Sequence, residues 1–122
     1  MITLIGGRLG NPASLAVPNG TIELLLNVDA LVIAPPYGRV MAAMPIIFQF
    51  DATGNLKPGA QIWSNFELNP RNSTELATLY YVAFYDANNG RISKVPMWWQ
   101  FVEAAGATVD ISTMTAYLAT GD

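Results

Sequence analysis

The amino-acid sequence predicts an all-β fold, an antiparallel β-sandwich of about seven or eight short strands. Three observations lead there. Ten glycines and eight prolines punctuate the chain at short intervals. The segments between them are rich in β-branched and aromatic residues, which suit a pleated, half-buried surface. Several of those segments alternate side-chain character with a period of two, the period of a strand, rather than 3.6. At 122 residues the chain has the length of one domain, 1–122, and can bury a core without disulfide or metal staples.

In chain order, Thr3-Leu4-Ile5 through Leu9 reads as the first strand, ended by the turn Gly10-Asn11-Pro12. Pro18-Asn19-Gly20 opens a second strand in which Ile22, Leu24, Leu26 and Val28 share one face, and Thr21, Glu23, Leu25 and Asn27 the other. Residues 30–38, ALVIAPPYG, read as an edge segment or an excursion, because Pro35 and Pro36 cannot donate to a ladder. A long strand bent at Pro45 runs from Arg39 to Asp51, with Ile46, Phe48 and Phe50 on one face; Leu56 to Ser64 returns, broken at Pro58-Gly59. The polar stretch from Asn65 to Glu75 reads as an exposed connection. Leu76 to Asp86 is the strongest strand, with Leu79, Tyr81, Ala83 and Tyr85 opposite Thr78, Tyr80, Val82 and Phe84. Apolar side chains on both its faces imply a central position or an interface behind it. In Pro96-Met97-Trp98-Trp99-Gln100-Phe101, alternation puts Met97, Trp99 and Phe101 toward the core and Trp98 outward. Thr108 to Ser112 is the last strand, and the residues after it form a loose tail or a short docking segment.

Composition narrows the function. The chain has no cysteine, which removes disulfides, thiolate nucleophiles and cysteine metal sites, and no histidine, the usual general base and commonest transition-metal ligand. No two of the nine Asp and Glu residues stand at a spacing that singles them out as an acid/base pair. The expectation is therefore a protein with no catalytic residues, no cofactor and no metal. Six Lys and Arg residues spread singly, with a net charge of −3, do not make a phosphate-binding surface, so nucleic acid is not an expected partner. No apolar run reaches the ~20 residues of a spanning helix, and the start MITLIGGRL lacks a basic leader and cleavage site, so neither membrane insertion nor a signal peptide is expected.

Only 12% of residues are charged against 52% hydrophobic. Soluble domains average about a quarter charged, so much of this outer face is expected to be covered by other subunits. The expected contact candidates are the aromatics Trp98, Trp63, Tyr80 and Phe84, the last two as part of the 78/80/82/84 face of the strongest strand. The tryptophans and tyrosines are equally the residue types that stack on sugar rings. Trp63 and one of Trp98 and Trp99 can instead fill the space between sheets.

Two hairpins echo each other. FDATGNL and YDANNGRI begin at Phe50-Asp51 and Tyr85-Asp86, and each is followed by a tryptophan twelve residues after its aspartate, Trp63 and Trp98. Asp and Asn bond the turn backbone and Gly supplies positive φ, so Asp51, Asn55, Asp86, Asn88 and Asn89 are expected to build turns rather than bind calcium. Asn19-Gly20-Thr21 and Asn72-Ser73-Thr74 match the N-glycosylation sequon and are read as turn residues too.

Gly7-Arg8-Leu9, Gly10-Asn11-Pro12 and Val17-Pro18-Asn19-Gly20-Thr21-Ile22 resemble the start of carboxypeptidase-regulatory-like and transthyretin-like sandwiches, over about the first third of the chain. The later run, with its Asp/Gly hairpin, Ile62-Trp63-Ser64-Asn65, Glu67-Leu68, Pro70 and the Tyr80-Tyr81 strand, resembles small β-sandwich proteins encoded beside tail and fibre genes of bacteriophages. That resemblance implies a non-enzymatic virion subunit, in tail, fibre or capsid decoration, assembled in the bacterial cytoplasm. Its partners would be itself, as a homo-oligomer, and other virion proteins. The alternative from the aromatic residues is a carbohydrate-binding sandwich that recognises a host cell-surface polysaccharide.

Overall fold

Glycine and proline cut the chain into strands shorter and more numerous than alternation alone implies. The computed structural model describes residues 1–7, 9–10, 13, 15–33, 39–70, 78–92, 97–114 and 117–118. Among these are eleven strands: β1 (Ile2–Ile5), β2 (Thr21–Leu26), β3 (Ala30–Val32), β4 (Val40–Met41), β5 (Ile46–Gln49), β6 (Gln61–Ile62), β7 (Leu68–Pro70), β8 (Tyr80–Tyr85), β9 (Met97–Trp99), β10 (Thr108–Asp110) and β11 (Tyr117–Leu118). Short 3-10 turns lie at Asn65–Glu67 and Ile111–Thr113. The all-β sandwich stands.

The largest sheet is antiparallel, in the order β11-β9-β8-β2-β5. A second has the order β10-β1-β6, with β1 parallel to β10 and antiparallel to β6; a third, antiparallel, has the order β4-β3-β7. The parallel pair joins strands from opposite ends of the chain, so the long crossover that parallel pairing needs is the rest of the protein. All three sheets feed one hydrophobic cluster. Ile22, Leu24 and Leu26 of β2 and Tyr80 and Val82 of β8 meet Ile2 and Leu4 of β1, Ile62, Val109, Ala30, Val32 and Leu68. Strand β2 alternates half-buried and buried along its length, and β8 holds a central position between β2 and β9.

Several boundaries differ from the reading above. The first strand stops at Ile5, because Gly6 and Gly7 take positive φ of 73° and 66° and turn the chain. Residues 39–51 are not one bent strand: β4 and β5 belong to different sheets, and the crossing between them ends at Pro45, with the Asp29 carboxylate accepting the Ala43 N–H at 2.7 Å. Strand β3 is not an edge but the middle of its sheet, with Ala30 and Val32 buried; Pro35 and Pro36 lie outside the described residues. Leu56 bridges Phe50, but after Gly59 (φ 93°) the chain leaves this hairpin to pair Gln61 and Ile62 with β1.

The start of the polar 65–75 stretch is buried rather than exposed. The Asn65 side chain donates to the Thr78 hydroxyl at 3.0 Å and accepts the Phe101 N–H at 2.7 Å, so its burial leaves no amide group wanting. Residues 71–77, with the second sequon, lie outside the described residues. Strand β10 ends at Asp110, whose side chain accepts the Ser112 N–H and caps the following turn. Of the tail, Tyr117–Leu118 docks on β9 as an edge strand.

Candidate functional site

The aspartates expected to build turns do so. Asp51 Oδ1 accepts the N–H groups of Thr53 (2.9 Å) and Asn55 (3.0 Å), and Asp86 Oδ1 accepts those of Asn88 (2.9 Å) and Gly90 (2.8 Å). The two loops share the same backbone closure: the Asp N–H donates to a carbonyl four residues on, at Asn55 and Gly90. The Thr53 hydroxyl and then the Asn55 N–H hold the Asp51 carboxyl below its usual range; the Ser112 hydroxyl and N–H do the same to Asp110. Carboxylates held ionised by local donors are poor proton donors. Among the described residues no three acidic side chains gather as a metal site. The buried Glu67 takes the Ser64 N–H and the Met1 amino group, each at 3.3 Å, which joins β1 to the turn before β7.

The four aromatic contact candidates separate. Trp98 is half-buried on the outer face of the large sheet, while Trp99 beside it is 5% exposed and in the core, as alternation requires. Trp63 is half-buried, packs on the core edge and carries the Arg39 guanidinium 5.6 Å above its ring. Tyr80 and Phe84 lie on the expected contact face, but that face is turned into the core. Tyr80 is 1% exposed, with its hydroxyl donating to the Trp63 carbonyl at 2.6 Å. Phe84 packs against Phe50 and Trp99 at centroid distances of 6.2 and 6.1 Å. The 78/80/82/84 face of β8 is thus the core face, because register places it beside Ile22, Leu24 and Leu26. Burial, and next the negative charge of Glu67, push the Tyr80 hydroxyl pKa well above the ordinary tyrosine value.

The outward face of β8 is 79/81/83/85, and on it the chain builds a hollow of about 330 Å³. Its floor is Ala83, 7% exposed. Tyr81 and Tyr85 rise on either side of this small residue along the same strand. Register sets Leu25 beside Tyr81, Glu23 beside Ala83 and Thr21 beside Tyr85 on the β2 side. On the other side Trp98 pairs with Tyr81 and Arg91 bridges to Tyr85. Glu23 and Arg91 both line the hollow.

A second surface is apolar. A groove of about 200 Å³ brings together Val40, Met41, Met44, Ile46 and Trp63. Met44 is 67% exposed, and Val40 and Ile46 are exposed too. Leu31 stands opposite Val40 in register and is itself exposed, so the groove continues as a band onto the outer face of the β4-β3-β7 sheet. No charged residue occurs between Arg39 and Asp51 in the sequence, and the charges beside the groove are the Arg39 guanidinium over Trp63 and the Met1 amino group paired with Glu67.

Strand addition at this edge is restricted. The Phe50 N–H bonds the Gly20 carbonyl at 2.8 Å, so by antiparallel alternation Ile47 and Gln49 turn their backbone groups to the free side of β5. The Gln49 carbonyl is taken by the Lys57 N–H at 2.9 Å, and Pro45 has no N–H to offer. That leaves the Ile47 groups and the Gln49 N–H on the free side, and edges blunted in this way resist sheet-to-sheet pairing. Side chains are what a partner meets here.

Sequence reasoning missed Tyr81, Ala83, Tyr85, Glu23 and Arg91 as a group, and Met44 with Ile46. The large-small-large order Tyr81, Ala83, Tyr85 was the available sign of a hollow. Both faces of β8 are apolar, so only the pairing with β2 shows which face is outside. No protein-family model matches the chain, and searches of curated proteins and of solved structures return no match.

Proposed function

We propose that the protein is a non-catalytic structural subunit that self-associates through apolar side chains. The setting is the one that the phage resemblance implies, a tail, fibre or capsid-decoration component of a virion. One observation supports this above others: the exposed apolar residues Leu31, Val40, Met44 and Ile46 brought together on a chain that is only 12% charged. Exposed apolar area of this kind is stabilised by a partner that removes it from water. The blunted β5 edge favours association by side-chain packing over continuation of the sheet.

The mass of the species in solution tests the reading. Light scattering on the purified protein should give a discrete oligomer. The double variant Val40→Lys, Met44→Lys, which puts two ammonium groups into the contact, should give a monomer with unchanged circular dichroism. A wild-type protein that stays monomeric at the highest soluble concentration overturns self-association.

A further inference from the structure

The hollow on the outer face of the large sheet has a different character from the apolar band. We infer that it is a binding site for a neutral saccharide unit. At about 330 Å³ it lies at the lower end of the range of small-molecule sites. The β8 rise per residue sets the Cα atoms of its tyrosine walls, four residues apart, at roughly 13 Å. That span admits a pyranose between them, or a disaccharide lying along the strand.

A sugar ring has an apolar C–H face and a rim of hydroxyls, each both donor and acceptor. Tyr81 and Tyr85 line it with aromatic side chains that end in hydroxyls, and Leu25 and Ala83 add apolar surface. Glu23 supplies an acceptor-only carboxylate and Arg91 a donor-only guanidinium. No hydrogen bond or ion pair to the Glu23 carboxylate occurs among the described residues, so its acceptor sites face the hollow and solvent. The opposite charges also select against other ligands. A cation held over the tyrosines meets Arg91, and an anion held by Arg91 meets Glu23. A neutral polyol uses both without a charge penalty. The hollow lies on the outer side of β5, and the groove lies on the side of Ile46, which shares its face with the buried Leu24. Saccharide binding therefore does not depend on the self-association proposed above.

Saturation-transfer NMR with the wild-type protein tests the inference directly. The probes are the methyl glycosides of glucose, galactose and N-acetylglucosamine, together with maltose and lactose, and with glycine betaine and glucuronate as charged controls. At least one neutral sugar should show transfer with a millimolar dissociation constant. Ala83→Leu, which fills the floor, should abolish that signal. Glu23→Gln, which keeps the shape and removes the charge-assisted acceptor, should weaken it about tenfold. Circular dichroism should match the wild type for both. No transfer to any neutral sugar, transfer to the charged controls alone, or sugar binding that survives both substitutions overturns the site.

Discussion

On the inner face of the five-stranded sheet, aromatic rings form a chain. Phe50 meets Phe84, Phe84 meets Trp99, Trp99 meets Phe101 and Phe101 meets Tyr80, at centroid separations between 5.9 and 6.2 Å. On the outer face, one residue along in each strand, Tyr81, Tyr85 and Trp98 stand around Ala83 instead of packing into a core. Residue type does not separate the two faces; what lies opposite does. The inner rings face Ile2, Leu4 and Ile62 from the second sheet, and the outer ones have no sheet over them among the described residues. Burial turns an aromatic residue into structure, and exposure beside a small neighbour turns the same residue into a wall.

The largest expected effect lies on the inner face. Trp99→Ala removes the ring that links Phe84 to Phe101 and leaves a cavity, at a cost of about 3–5 kcal/mol of unfolding free energy in urea titration. Trp99→Phe should cost clearly less, because the indole N–H is buried with no acceptor among the described residues and its loss removes an unsatisfied donor. A Trp99→Phe variant as damaged as Trp99→Ala would mean that this N–H has a partner.

A smaller effect is expected at the polar end of the same chain. Tyr80→Phe deletes the 2.6 Å bond to the Trp63 carbonyl and should cost about 1–2 kcal/mol. The Tyr80 hydroxyl has a raised pKa in the folded protein, so its contribution is fully present below the ordinary tyrosine value of 10.0. It is lost as pH rises from there toward the folded pKa. Wild-type stability should therefore fall more steeply than that of Tyr80→Phe above about pH 10. Parallel alkaline curves for the two proteins would remove Tyr80 as the linked group.

The contrast also explains how far the sequence could be read. The fold class, the β2 alternation, the two aspartate turns and the split of Trp98 from Trp99 follow from periods and turn chemistry that act within a few residues. The direction of β8 does not, because both of its faces are apolar, and only register with β2 assigns Tyr80 to the core and Tyr81 to the surface. Long-range pairing likewise decided β3, whose neighbours β4 and β7 make it central although the prolines that follow resemble an edge signal. Asn65 and Glu67 read as surface residues until the distant groups that satisfy them, Thr78 and Phe101 for Asn65 and the Met1 amino group for Glu67, arrive from elsewhere in the fold. The hollow combines β2, β8, β9 and the Arg91 bridge, which no local pattern joins.

The smallest expected effect tests the comparison most sharply, because it concerns the neighbour of the largest. Trp98 differs from Trp99 by one position and by the face on which it stands, and it pairs across the ladder with Tyr81. Its side chain is partly open to water, so truncation leaves no enclosed cavity of the kind that Trp99→Ala makes. Cross-strand aromatic pairs are worth up to about 1 kcal/mol, and Trp98→Ala should cost about that much. Urea titration of Trp98→Ala beside Trp99→Ala should thus show a several-fold difference in lost stability between adjacent residues of the same type. Equal losses would mean that the outer face is packed as tightly as the inner one, and the walls around Ala83 would then be part of the core rather than a surface open to a ligand.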